Sequence, residues 1–331
     1  MRRSTPIATR LLALLAVPAV LAGCSPSPGG EGKTTLNFSY SNAVQQTEKV
    51  PLHFALENLK SQGIATTEAF HQSGDDAVQA VVRGESDFGT ANASTVFAAV
   101  RKGVPIKAVM TAYRPAYLLV APASVADPGG LGGKRVGLQS KISSTTLYTN
   151  LALKDFPAAK PQLLIIPGSA NRVQAMIAGQ LDASVVQFSD WLTLRKKAPG
   201  QFHVIYDVAE RNPDIIDSVI FTTSQTADSA PEYVKKFLAA VQTEYASTYR
   251  DAGKLAASIA STVPKTDPAA AKELAEESLK AKIWPADGGF SPVAVKATLD
   301  ALRTSGILDA GSLPDADQCC RADLLTAGIG G

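Results

Sequence analysis

Hydrophobic positions along this chain switch repeatedly between a period of two and a period of three to four, and that alternation sets the expected fold. Leu36-Asn37-Phe38-Ser39-Tyr40 alternates and predicts a strand. Residues 51–60 carry apolar side chains at helical spacing behind a first-turn proline, Gly63 ends that helix, and residues 65–71 predict a second strand. Asn92 is expected to cap a helix running to Lys102, Gly103 to stop it, and residues 106–111 to form a strand. Further strands are expected at 117–122, 135–139, 163–166 and 218–222, with a helix at 147–154. From Pro231 the pattern turns helical over 233–249, 269–281 and 292–305, and these helices are expected to pack around the first lobe. Short steps of strand and helix predict an α/β fold with mainly parallel, doubly wound sheets.

One stretch is used twice. Val78-Gln79-Ala80-Val81-Val82-Arg83-Gly84-Glu85-Ser86-Asp87 returns 95 positions later as Val173-Gln174-Ala175-Met176-Ile177-Ala178-Gly179-Gln180-Leu181-Asp182, with Val, Gln, Ala, Gly and Asp identical in register. Each copy reads as a helix end, a reversing glycine and an aspartate before a small-residue strand (Phe88-Gly89-Thr90 and Ala183-Ser184-Val185). Each also follows a strand and a polar turn, Ser73-Gly74-Asp75 in one and Gly168-Ser169-Ala170-Asn171 in the other, which makes a βαβ unit. A single repeat at this spacing implies two lobes built on one plan, with a cleft between them. Asp87 and Asp182 are expected to hold the turn before the strand. Residues 34–120 with 221–331 are expected to form the first lobe and 121–220 the second.

Composition supports a folded, exported chain. Of 331 residues, 45% are hydrophobic and only 19% charged. The formal charge of +2, less the three leader arginines Arg2, Arg3 and Arg10, leaves −1, with no basic footprint for nucleic acid. Arg2 to Arg10 followed by an apolar run over 11–22 reads as a signal peptide, residues 1–23, too short to span a bilayer. Its end, Leu21-Ala22-Gly23-Cys24, resembles the bacterial lipobox, in which the cysteine is lipidated and becomes the N-terminus. Residues 24–33, rich in Ser, Pro and Gly, read as a flexible tether. An extracytoplasmic, lipid-anchored protein is expected.

Cys319 and Cys320 are adjacent, either a vicinal disulfide or a reduced buried pair. With three scattered histidines and no Cys-x-x-Cys, no metal site is expected. Asp127-Pro128-Gly129-Gly130-Leu131-Gly132-Gly133-Lys134-Arg135 is no phosphate loop: the position five before Gly133 is Pro128 and the cluster leads into a strand. It reads as the opening turn of the second lobe.

In order along the chain, Gln79 to Asp87 with Phe88-Gly89, Gly103-Val104-Pro105-Ile106-Lys107, Leu131-Gly132-Gly133-Lys134-Arg135-Val136-Gly137 and Ala175 to Ala183 resemble the extracytoplasmic substrate-binding proteins of ATP-driven (ABC) importers, in the family handling sulfonates, taurine, nitrate and thiamine-precursor pyrimidines. The resemblance implies a two-lobed periplasmic-binding-protein type II fold, hinged at two crossover strands near 118–121 and 218–221. It implies a monomer that closes on a small solute and docks on a permease served by ATPase subunits, with no cofactor and no catalysis. Only Trp191 and Trp284 are present, and Cys319-Cys320 does not reproduce the cysteine-rich motif of the pyrimidine synthases of this fold, so neither specialised branch is supported.

Ligands in such clefts meet strand-end turns and helix N-termini. The candidates are Ser41, Asn42, Gly74, Asp75, Ala91, Asn92, Ser143, Ser144, Thr145 and Trp191, with Arg114 as a charged donor after a strand end. Alternatives stand beside several of them. Hydroxyls at 143–145 either cap their helix or hold an anion, Trp191 stacks on a planar ligand or packs, and Arg114 binds or is solvated. The hydroxyl-rich helix starts and few aromatics favour a small organic anion such as a sulfonate, ahead of a planar heterocycle. Rival classes are a tethered sensor or scaffold and an enzyme of the pyrimidine-synthase type, although no nucleophile elbow or metal pair is present.

Overall fold

The structure, a computed structural model, describes residues 34–308, 311 and 313–325. The expected leader, Cys24 and tether lie outside the described residues. The first half runs β1 (Thr35–Tyr40), α1 (Val50–Ser61), β2 (Ala65–Phe70), α2 (Gly74–Val82), β3 (Phe88–Asn92), α3 (Ala93–Arg101) and β4 (Ile106–Tyr113). The second runs β5 (Tyr117–Pro122), β6 (Arg135–Leu138), α4 (Ser144–Leu153), β7 (Gln162–Ile165), α5 (Ser169–Ile177), β8 (Ala183–Gln187), α6 (Phe188–Lys197), β9 (Phe202–Asp207) and α7 (Val208–Arg211). The chain then returns as β10 (Ser218–Thr223) and continues through α8 (Ser224–Ser229), α9 (Pro231–Thr248), α10 (Ala252–Thr262), α11 (Pro268–Lys280), α12 (Pro292–Thr304) and α13 (Ala316–Cys319).

Two five-stranded sheets result, ordered β2-β1-β3-β10-β4 and β7-β6-β8-β5-β9. Their plans are superimposable position by position, and each holds one exchanged strand. β10 runs antiparallel to β3 and β4, and β5 runs antiparallel to β8 and β9. Both exchanged strands lie wholly within a sheet, so the crossings fall at residues 114–116 and 212–217, on the lead-ins to β5 and β10.

The repeat is the same local structure twice. Gly84 and Gly179 sit at φ 75° and 69°, the left-handed conformation that reverses a helix end. In the first copy Glu85 N–H donates to Ala80 O and Gly84 N–H to Val81 O; in the second, Gln180 donates to Ala175 and Gly179 to Met176. The two aspartates repeat as well. Asp87 Oδ2 accepts from Asn37 N–H at 2.8 Å and Asp182 Oδ2 from Arg135 N–H at 2.8 Å, so the carboxylates fix corresponding strands, β1 and β6, of the two sheets.

Phe88 and Phe237 stack at 4.2 Å and hold α9 against the first sheet. The later helices are shared between the lobes. Glu273 and Asp267, on or next to α11, pair with Arg195 and Lys196 of α6, and Asn150 of α4 donates to Ser305 O at 2.6 Å. Cys319 is buried and Cys320 half-buried, both as free thiols. Their segment is fastened to the free edge of β4 by an Ala108–Cys320 bridge and by Arg321 N–H donating to Ala108 O at 2.9 Å.

Candidate functional site

A cavity of about 300 Å³ opens at the carboxyl ends of the strands of both sheets. Asn42 and Gln46 reach it from the turn after β1, and Asn92 from the end of β3. The second lobe contributes Tyr117 at the start of β5, Gln139 after β6, Ser143, Ser144 and Thr145 at the start of α4, Ser169 and Arg172 of α5, and Gln187 at the end of β8.

The hydroxyls at 143–145 do not cap their helix. Ser143 stands at the cap position of α4 without a side-chain cap bond. Its Oγ donates instead to Ser140 O at 3.0 Å, while Thr145 Oγ1 accepts from Gln139 N–H at 2.8 Å, so the pair shapes the turn. Asn92 likewise does not cap α3. Its amide reaches the other lobe, donating to Ser144 Oγ at 3.0 Å and to Asp217 Oδ2 at 3.4 Å.

Asp217, 3% exposed, sits on the second crossing and ties this junction together. Its Oδ1 accepts from Tyr148 OH at 2.5 Å and from Ser144 Oγ at 3.0 Å. Burial raises its carboxyl to about 6, against the pull of Tyr148, Ser144 and Lys49. The fold therefore favours the protonated form. That contribution to stability is complete below the unfolded value near 4 and is lost as pH rises through about 6. Asp217→Asn, which stays neutral, should gain about 1–2 kcal/mol relative to the wild type between about pH 4.5 and 8 in urea unfolding. A difference that does not change with pH would show that Asp217 does not titrate in that window.

Arg172 is the cation on the wall. It is 3% exposed, and its Nη1 donates to Gln139 Oε1 at 2.8 Å and to Ile166 O at 3.2 Å. Its Nε has no hydrogen-bond partner among the described residues. Burial lowers its pKa and nearby Asp190 raises it again, but guanidinium keeps its charge at any ordinary pH. Asp190 is itself raised by burial and accepts a hydrogen bond from Ser169 Oγ. Behind Asn42, Lys49 is buried and donates to Asn42 Oδ1, its amine pushed down to about 7 by burial.

Of the sequence-derived candidates, Asn42, Asn92, Ser143, Ser144 and Thr145 line this cavity. Ser41 lies beside it, its Oγ 3.5 Å from Asn42 Oδ1. The others are placed elsewhere. Ala91 is buried in β3, and a Cβ on Gly74 would meet its Cβ at 3.2 Å, so both serve packing. Asp75 borders a separate cavity between α2 and α3. Trp191 packs on the core with the Arg195 guanidinium 5.9 Å over its ring. Arg114 lines a third cavity, at the crossings. Sequence reasoning did not reach Gln46, Tyr117, Gln139, Ser169, Arg172 or Gln187. Two signals were available: Ser169 opens the second copy where Gly74 opens the first, and Arg172 stands where the first copy has Ala77. Among the described residues no cluster of three or more His, Cys, Asp or Glu is placed to hold a metal ion.

Solved structures share this architecture. A ligand-binding component of an ABC-type import system from Staphylococcus aureus, solved with zinc bound, superposes with a TM-score of 0.73 at 13% identity, over 90% of this chain and 100% of that one. The periplasmic aliphatic sulphonate binding protein SsuA of Escherichia coli gives 0.64 at 17% identity, over 83% and 86%. The periplasmic nitrate-binding protein NrtA of Synechocystis PCC 6803 gives 0.67 at 12% identity, over 88% and 87%. These likenesses establish the periplasmic-binding-protein fold. A search of curated proteins returns no significant match. The model of the family described as NMT1/THI5 like matches residues 58–252, more than half of the chain, and the protein belongs to that family.

Proposed function

We propose that this protein is the solute-binding component of an ABC importer, capturing a small organic anion of the sulfonate class in the cleft and handing it to a membrane permease. The observation that carries the reading is Arg172: a buried guanidinium, the one charged side chain among the residues that line the cavity. A buried donor of that kind is costly unless something accepts from it, and an anionic oxygen is the acceptor that repays most. Ser144 and Ser169 donate their hydroxyl hydrogens in hydrogen bonds to Asp217 and Asp190, so they offer a ligand lone pairs only. The donors that remain on the wall are Arg172, Tyr117 and the amides of Asn42, Gln46, Gln139 and Gln187. Sulfonate and nitrate binding by structural neighbours agrees with this chemistry.

On this reading the chain works outside the cytoplasm, held to the membrane by a lipid on Cys24, as a monomer that binds without catalysing. The crossings at 114–116 and 212–217 bend, and Asn92, Ser144 and Asp217 latch the lobes. A planar heterocycle would have to stack on Tyr117, because Trp191 lies away from the cavity.

Thermal unfolding of residues 25–331, without Cys24, against alkanesulfonates, taurine, nitrate, pyrimidines, flavins and amino acids tests this. A cleft ligand at a hundred times its dissociation constant adds about 2.7 kcal/mol. Stabilisation by sulfonates is expected. Stabilisation by heterocycles alone would retain the importer and discard the anion, and a chain that turns a pyrimidine precursor over would discard the importer.

A further inference from the structure

The cavity at the crossings, of about 320 Å³, lies away from the cleft residues. Arg114 and Pro115 of the first crossing and Asn212 and Pro213 of the second form part of its wall, and the end of α11 closes it. The cleft and this cavity share a partition. Gln187 lines the one and its neighbour Phe188 the other, and Tyr117 stands two residues from Pro115 in the same way.

Six charged side chains ring the cavity, three of each sign: Arg114, Lys280 and Lys282 against Asp207, Glu210 and Glu277. Among the described residues none of the six makes an ion pair. Asp207 spends one oxygen on Glu210 N–H at 3.2 Å, and Arg114 uses only its backbone, donating to Ile283 O at 2.7 Å. Arg114, Asp207 and Glu277 are half-buried, where an unmatched charge is poorly solvated. A ligand of one sign would be repelled by half of this wall, whereas a ligand carrying both signs is matched by it. Pro115, Phe188 and Pro213 supply an apolar floor, and the volume suits a small metabolite.

We infer that this cavity is a second binding site, for a small α-amino acid with an apolar side chain, its carboxylate on Arg114 and Lys282 and its ammonium toward Asp207 and Glu210. The inference holds whatever the cleft binds.

The probe is leucine, set against 4-methylpentanoate, which lacks the amine, and 3-methylbutylamine, which lacks the carboxylate, titrated calorimetrically into the unlipidated chain. Leucine is expected to bind at least about tenfold more tightly than either analogue. Arg114→Met should weaken leucine by about tenfold or more, Glu210→Gln, on an exposed position that leaves folding intact, should weaken it as well, and Arg172→Met should leave it unchanged. Failure of leucine to bind at about 10 mM, equal binding of the three probes, or loss with Arg172→Met but not with Glu210→Gln would each overturn the site.

Discussion

Arg172→Met should weaken binding of the sulfonate that stabilises the wild type by about a hundredfold, roughly 3 kcal/mol, the worth of a buried charge-assisted hydrogen bond. Methionine keeps the apolar stem of the side chain against Gly137 of β6 and removes the charge, so the fold should survive. The stability cost is limited because deleting the guanidinium also deletes its desolvation, although Gln139 Oε1 and Ile166 O each lose a donor. Gln139 Oε1 retains Gly168 N–H at 2.8 Å. Arg172→Lys should fall between, since an ammonium keeps the charge without the planar fork. Calorimetric titration of the three chains decides it. Equal affinity in the wild type and in Arg172→Met would remove the anion from the cleft.

Much of the architecture was legible because local chemistry and tertiary structure agree. Gly84 and Gly179 reverse their helices by the same pair of backbone bonds, and Asp87 and Asp182 fasten corresponding strands, so five matching letters reported one recurring physical unit. Other elements were silent for identifiable reasons. Every residue of β9 is half-buried on its sheet's edge, which blurs the two-residue alternation. α6 begins at Phe188, which follows Val186 and Gln187 of β8 in strand-like alternation, so helix and strand cannot be separated there by period alone.

The candidate site divides in the same way. Strand-end turns and helix starts led to one cavity, since Asn42, Asn92 and residues 143–145 all line it. Arg172 escaped because it lies within the first turns of a helix, on a face that packs, at a place where the first copy carries buried Ala77. Only the comparison of the two copies exposes it: an arginine replacing a core alanine needs a reason. Arg114 was assigned to the cleft from its distance to a strand end, but the turn that follows β4 leads its side chain to the cavity at the crossings. Sequence separation carries no information about which side of a turn a side chain takes.

Trp284→Ala should cost about 4 kcal/mol of stability, the usual range for emptying a buried aromatic site, and should weaken cleft binding even in the fraction that folds. Trp284 is 1% exposed and heads the fully buried side chains by volume. Its Nε1–H donates to Glu48 O at 2.7 Å, and its own N–H donates to Tyr249 OH at 3.2 Å. Glu48 and Lys49 are buried in a short 3-10 turn, Thr47–Lys49, and Lys49 holds Asn42 at the cavity. A residue between α11 and α12 thus sets the position of the turn that carries Asn42 and Gln46. Truncation leaves both a void and an orphaned carbonyl, whereas Trp284→Phe fills most of the void and loses only the donor, so it should cost about 1–2 kcal/mol. Urea unfolding followed by circular dichroism separates the two variants. An alanine variant with the wild-type midpoint would mean that the turn is held by its own contacts, and the link from the C-terminal helices to the cleft would fall with it.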